Sequence, residues 1–235
     1  MIYPRVSLYA LMLAAAGIPL YIHLPRFASV QLGIGLGTVG TVLLAIRLID
    51  LVQDPAIGWV IDRWPRVFAL GAAAGLAIGF PILFNLQPGA GVVAQLVGTL
   101  VLLFSAYSLG MILLYGRSAS LAQDTSAGAL MTLAAYREGG MLAGVVLVAS
   151  APALFVALGA AGQGYPALGF FLGGLALIAA WLTLPIWRRP VLPGAALSLR
   201  GLAQAGALRL LGLALINSLP VAITSTLFCS LSKTA

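Results

Sequence analysis

Two aspartates four residues apart, Asp50 and Asp54, interrupt an otherwise apolar block running from Gly33 to Ile61, and Arg47 precedes Asp50 by three positions. On a helix, offsets of three and four residues place all three side chains on one stripe. Carboxylates at that spacing repel one another, and a proton, a cation or the arginine relieves the repulsion. Carboxylate oxygens suit a hard cation such as Na+, or a proton, and not a soft metal. Pro55 removes a helix donor and frees a carbonyl near Leu51 as a further ligand. A second charged pair, Arg137-Glu138, falls in another apolar block. The planar guanidinium of Arg137 suits an anionic or hydroxyl-rich ligand. The plainer alternatives are a buried charge lock of Arg47, Asp50 and Arg137 between helices, or a local Arg137–Glu138 pair.

The elements that carry these groups follow from composition. The chain has 235 residues, 62% of them hydrophobic and only 7% charged, against roughly 25% charged in an ordinary soluble domain. A mean hydropathy of +1.11 and 28 glycines fit membrane-spanning helices whose small residues let backbones approach closely. A soluble enzyme is excluded. The net charge of +7 does not imply a nucleic-acid partner, because the basic residues fall between apolar blocks and form no single face. Cys229 alone makes no intrachain disulfide or multi-cysteine metal site. No cleavable signal peptide is expected, since the first apolar block is long enough to span.

A span needs about 20 mostly apolar residues. Seven blocks qualify: Val6–Leu24, Gly33–Ile61, Val67–Leu86, Val92–Tyr115, Gly128–Leu158, Ala167–Ile186 and Ala207–Leu231. Breakers separate them, among them Gln87-Pro88-Gly89 and Gly162 to Pro166. The expected fold is therefore an all-α polytopic membrane bundle. Residues 1–190 would form six helices, 191–206 a cytoplasmic connector, and 207–235 a seventh helix. Arg5, Arg63, Arg66, Arg117, Arg188, Arg189 and Arg200 fall on one side of this layout and only Arg26 on the other. By the positive-inside rule the N-terminus is cytoplasmic. With Asp62 at that edge, a rise of 1.5 Å per residue sets Asp54 roughly 12 Å deep and Asp50 roughly 18 Å. An ionised group there costs roughly 3 kcal/mol against lipid, so the charged stripe must turn inward. His23 and Arg26 read as interfacial, and Trp59, Trp64, Trp181 and Trp187 as interfacial anchors.

The run Arg47-x-x-Asp50-x-x-x-Asp54-Pro55-x-x-Gly58-x-x-x-Asp62-Arg63 resembles the second-helix signature of the glycoside–pentoside–hexuronide:cation symporters, the melibiose-permease-like family of the major facilitator superfamily. The loop motif Gly58, Asp62, Arg63 and Arg66 is similar to that of the wider superfamily. The resemblance covers the chain as the N-terminal half of a twelve-helix transporter plus the start of its second half. It implies that Asp50 and Asp54 bind a coupling Na+, Li+ or H+, with Ser108 as a further cation contact after Tyr107. It also implies a substrate role for Arg137, one residue from the family's fifth-helix arginine. Met111 stands where melibiose-type members carry a sugar-binding Asp, Tyr115 replaces a usual Trp, and the first helix has no acid. The solute is therefore expected not to be melibiose-like.

Together these readings describe a cation-coupled secondary transporter of a small polar solute, a sugar by family default. Asp50, Asp54 and Ser108 would hold the ion, while Arg137, Tyr115 and Arg47 would line the solute site, Arg47 also tuning the carboxylates. No cofactor is expected beyond the coupling Na+ or H+. The expected partners are membrane lipid, the solute and a missing C-terminal half, with no nucleic acid, in a bacterial inner membrane. Two alternatives are a truncated chain that does not transport and an intramembrane phosphotransferase using Mg2+. The latter needs three or more clustered acids, and the second span supplies two with Asp62 at its edge.

Overall fold

The computed structural model describes residues 2–122, 124, 126–157 and 164–189, together with 209, 212, 213 and 216. Contacts divide the chain into a unit of Met1–Val191 and another of Leu192–Ala235. In the second unit Arg209, Gly212, Leu213 and Ile216 are helical, and the rest of the expected seventh span lies outside the described residues.

The first unit is an all-α bundle with no strand among its described residues and six helices long and apolar enough to cross a membrane. They are α1 (Tyr3–Gln31), α2 (Leu36–Val60), α3 (Pro65–Phe84), α4 (Val92–Gly116), α5 (Ala127–Ala157) and α6 (Gly164–Thr183), the last running on into a 3-10 turn at Leu184–Arg188. These boundaries agree with the hydropathy blocks to within three residues, apart from the end of α1. The helix does not stop at Leu24 but continues to Gln31 through two π turns, Pro19–His23 and Phe27–Gln31. Pro19 opens the first of these turns and Pro25 lies in the short α-helical segment between them, and single π turns occur within α-helices without ending them. Phe27 then packs into an aromatic cluster, 5.3 Å from Phe84 and 5.0 Å from Tyr165 between ring centroids. That cluster gives the extension something to hold. Gly33, at a φ of 69°, turns the chain toward α2.

Close helix approach comes from small residues at four-residue spacing, as expected where lipid offers no hydrophobic contrast between helices. Gly140 and Gly144 of α5 lie directly on the backbone carbonyls of Ser7 and Leu11 in α1. Gly169 and Gly173 of α6 face the carbonyls of Phe80 and Ala77 in α3, where an added Cβ would sit only 2.7 and 2.8 Å away. Gly75 and Gly79 of α3 receive Ala106 and Leu103 of α4 in the same manner. The pairs α1–α5, α3–α6 and α3–α4 thus form the tight seams.

By contrast, α2 is loosely held. Its buried residues are Val39, Ile46 and Asp50, while Leu44, Leu48, Leu51 and Val52 are exposed. It lies against α4 and the end of α1.

One anchor is corrected. Trp187 does not sit in an interface but is 1% exposed, edge-on to Tyr9 at 4.8 Å. The 3-10 turn folds its ring under α1. Trp59, Trp64 and Trp181 are exposed.

Candidate functional site

The charged stripe of α2 faces α4 and the end of α1. Arg47 donates from Nη1 to Asp50 Oδ2 at 3.0 Å and from Nη2 to the Tyr21 hydroxyl at 2.7 Å. Its guanidinium also lies 5.3 Å from the Tyr21 ring centre and 5.1 Å from that of Phe104. A cation between two aromatic faces is stabilised electrostatically, which fixes the direction of the arginine. Asp50 is the buried acid, 7% exposed, and its Oδ1 finds no donor among the described residues. One turn along, Asp54 accepts a hydrogen bond from Ser108 Oγ of α4 at 2.5 Å. Between them, Gln53 Oε1 accepts from Ser105 Oγ at 2.9 Å, leaving its buried Nε2 without an acceptor.

This pairing has a simple register. Gln53 and Asp54 on α2 meet Ser105 and Ser108 on α4, so two polar clasps hold a helix with little apolar burial. Asp50, Asp54, Arg47 and Ser108 are therefore brought into one neighbourhood. Gln53, Ser105, Tyr21 and Phe104 belong to it too and were not singled out from sequence. For Gln53 and Ser105 a signal existed: Gln53 adjoins Asp54, and Ser105 lies one turn from Ser108, each on a helix that must turn its polar face inward. For Tyr21 none existed, because the π turns decide where it points.

Arg137 forms a separate group on α5. It pairs with its neighbour Glu138 at 2.9 Å, donates to Ser118 Oγ at 3.2 Å, and places its guanidinium 4.1 Å from the Tyr115 ring centre. The Tyr115 hydroxyl donates to Met141 Sδ at 3.6 Å. Among the described residues no ion pair joins Arg137 to Asp50, so the three-residue charge lock is reduced to Arg47 and Asp50. Tyr107, Met111 and Tyr115 recur every four residues on α4, a spacing that aligns them on one helical face. That face runs between the two charged groups.

The loop motif lies at the arginine-rich end of the bundle. Gly58, Asp62, Arg63 and Arg66 are all exposed. Arg117, read from sequence only as an orientation mark, is 1% exposed and donates from Nη2 to the Arg189 carbonyl at 2.7 Å. Arg189 Nη1 in turn donates to the carbonyl of Ala122 at 2.9 Å. These bonds tie the segment that follows α4 to the segment that follows α6. Burial pushes the Arg117 pKa down, and the Asp62 carboxylate offsets only part of that shift.

A bundle of apolar helices with an inward charged stripe points to a membrane carrier, and the comparison with protein families decides it. The family described as MFS/sugar transport protein matches residues 6–229. The chain belongs to that family. It is thus a major facilitator, an integral membrane protein of the secondary-transporter class and not an enzyme, which sets the phosphotransferase alternative aside. No curated protein and no solved structure matches this major facilitator.

Proposed function

We propose that this major facilitator is a cation-coupled symporter of a small polar solute, of the melibiose-permease-like kind, with Asp50 and Asp54 as the ion-binding pair. The observation that carries the reading is the state of the two carboxylates. Asp50 keeps a buried oxygen without a donor, and Asp54 shares Ser108 across the α2–α4 contact. A buried acceptor left unmatched is costly, and Na+ or a proton supplies what it lacks. Arg47 holds the other Asp50 oxygen and keeps the pair from being fully uncompensated. Arg137, held by Glu138 and Ser118 and stacked on the Tyr115 ring, keeps further N–H donors that suit a hydroxyl-rich or anionic solute. In secondary transporters, solute and ion meet near the midplane and the repeats rock around them.

The test is uptake into proteoliposomes of a panel of sugars and organic acids, driven separately by Na+ and pH gradients. Accumulation of at least one solute above its external concentration is expected with one of the two gradients. Mere equilibration, indifferent to either gradient, would overturn the coupling.

A substitution checks Ser108. Ser108→Ala removes the hydroxyl from Asp54, and a hydrogen bond to a charged group contributes roughly 1.5 kcal/mol at the lower end. The driving-ion concentration for half-maximal uptake should therefore rise about tenfold. An unchanged ion dependence would remove Ser108 from the site.

A further inference from the structure

The arginine-rich end of the bundle carries an open groove of about 760 Å3, bounded by Asp62, Arg66, Val67, Leu70, Trp187 and Arg188 among others. Its charge is one-sided: four arginines, Arg63, Arg66, Arg188 and Arg189, face a single acid. Two of the four are already engaged. Arg189 donates to the Ala122 carbonyl, and Arg63 stacks on Trp64 with its guanidinium 5.3 Å from the ring centre. Arg66 and Arg188 are exposed and make no ion pair with any described residue.

Three further features turn these two cations into a site. The helix α3 starts here, with Pro65 in its first turn, no side-chain cap and no acid in that turn, so its N-terminal amides add positive potential. Trp187 lines the groove and is 1% exposed, and its buried Nε1 has no acceptor among the described residues. Immediately beyond Arg66 on the same helix, Val67 and Leu70 are 64% and 46% exposed. They form an apolar wall leading away from the charged mouth.

We infer that this groove binds the phosphate of an anionic membrane lipid, with Arg66 and Arg188 on the phosphate oxygens and an acyl chain along Val67 and Leu70. Guanidinium forks match phosphate oxygens in geometry and charge. A soluble phosphate would satisfy the arginines but would leave the apolar wall unused, and that wall favours the lipid over the free ion.

The full chain is purified in a neutral detergent and titrated separately with short-chain phosphatidylglycerol, the matching phosphatidylcholine and inorganic phosphate, with bound adducts counted by native mass spectrometry. Phosphatidylglycerol should be retained in preference to phosphatidylcholine. Each basic residue near an anionic lipid surface contributes a factor of about five, so R66Q/R188Q should reduce the preference by about thirtyfold. R66K/R188K keeps the charge without the fork and should lose less of the preference than R66Q/R188Q. Circular dichroism and thermal unfolding of each variant establish that it is folded. Equal retention of the two lipids by the unsubstituted chain, or an unchanged preference in folded R66Q/R188Q, would overturn the inference. So would inorganic phosphate binding as tightly as the lipid.

Discussion

Asp54→Asn is expected to abolish ion-driven accumulation while leaving the protein folded. The substitution keeps size and shape, and the asparagine carbonyl still accepts from Ser108, which meets Asp54 across the α2–α4 contact. What disappears is the charge. Losing the charge from a hydrogen-bonded carboxylate costs up to about 3 kcal/mol, equivalent to roughly 100-fold in ion affinity. Uptake under the productive gradient should fall by about that factor, whereas exchange of solute across equilibrated membranes should survive. Asp50→Asn tests a different matter, because Arg47 would lose its only carboxylate partner among the described residues. That variant should lose ion coupling and stability together. Undiminished ion-driven accumulation in Asp54→Asn would remove this residue from the ion site.

The second large effect concerns the seam between α1 and α5. Gly140→Leu should prevent recovery of folded protein, because its Cβ would meet the backbone carbonyl of Ser7. Backbone cannot swing aside as a flexible side-chain tip does, and overpacking a close-fitted contact costs about 1–3 kcal/mol even where some relaxation is possible. Gly139 supplies the control. It is adjacent in sequence, yet nothing lies within 4 Å of where its Cβ would be. Gly139→Ala should therefore be neutral or stabilising by up to about 1 kcal/mol through helix propensity. Thermal unfolding in detergent, followed by tryptophan fluorescence, compares the two. Similar melting temperatures for both variants would mean that the seam does not depend on close approach.

The architecture was legible because membrane spans are long apolar blocks, a signal that survives without any knowledge of neighbours. Six of them stand where hydropathy puts them. The end of α1 was not legible: Pro19, Pro25, His23 and Arg26 look like the edge of a span, and only the aromatic cluster around Phe27 explains why the helix continues. Trp187 misled for a related reason. It has the residue type of a membrane boundary but is buried by what lies opposite it, and a linear pattern does not encode an opposite partner. At the charged stripe the spacing of Arg47, Asp50 and Asp54 was enough to give one face, because helical periodicity is local. The clasp of Gln53 on Ser105 depends on the register between two helices. The sequence places each residue on a helix that must turn its polar face inward, but not the pairing between them.

The loose burial of α2 changes what ligand binding can mean for this chain. Its fastenings to the rest of the bundle are largely polar: Arg47 on Tyr21, Gln53 on Ser105, Asp54 on Ser108. A cation bound by the aspartates and Ser108, as proposed, would sit on the very contact that latches the helix to α4. Filling the pair and closing the latch would then be one equilibrium observed from two ends, and by linkage each must shift the other by the same free energy. In a helix fastened by leucines, occupancy and position would be independent variables.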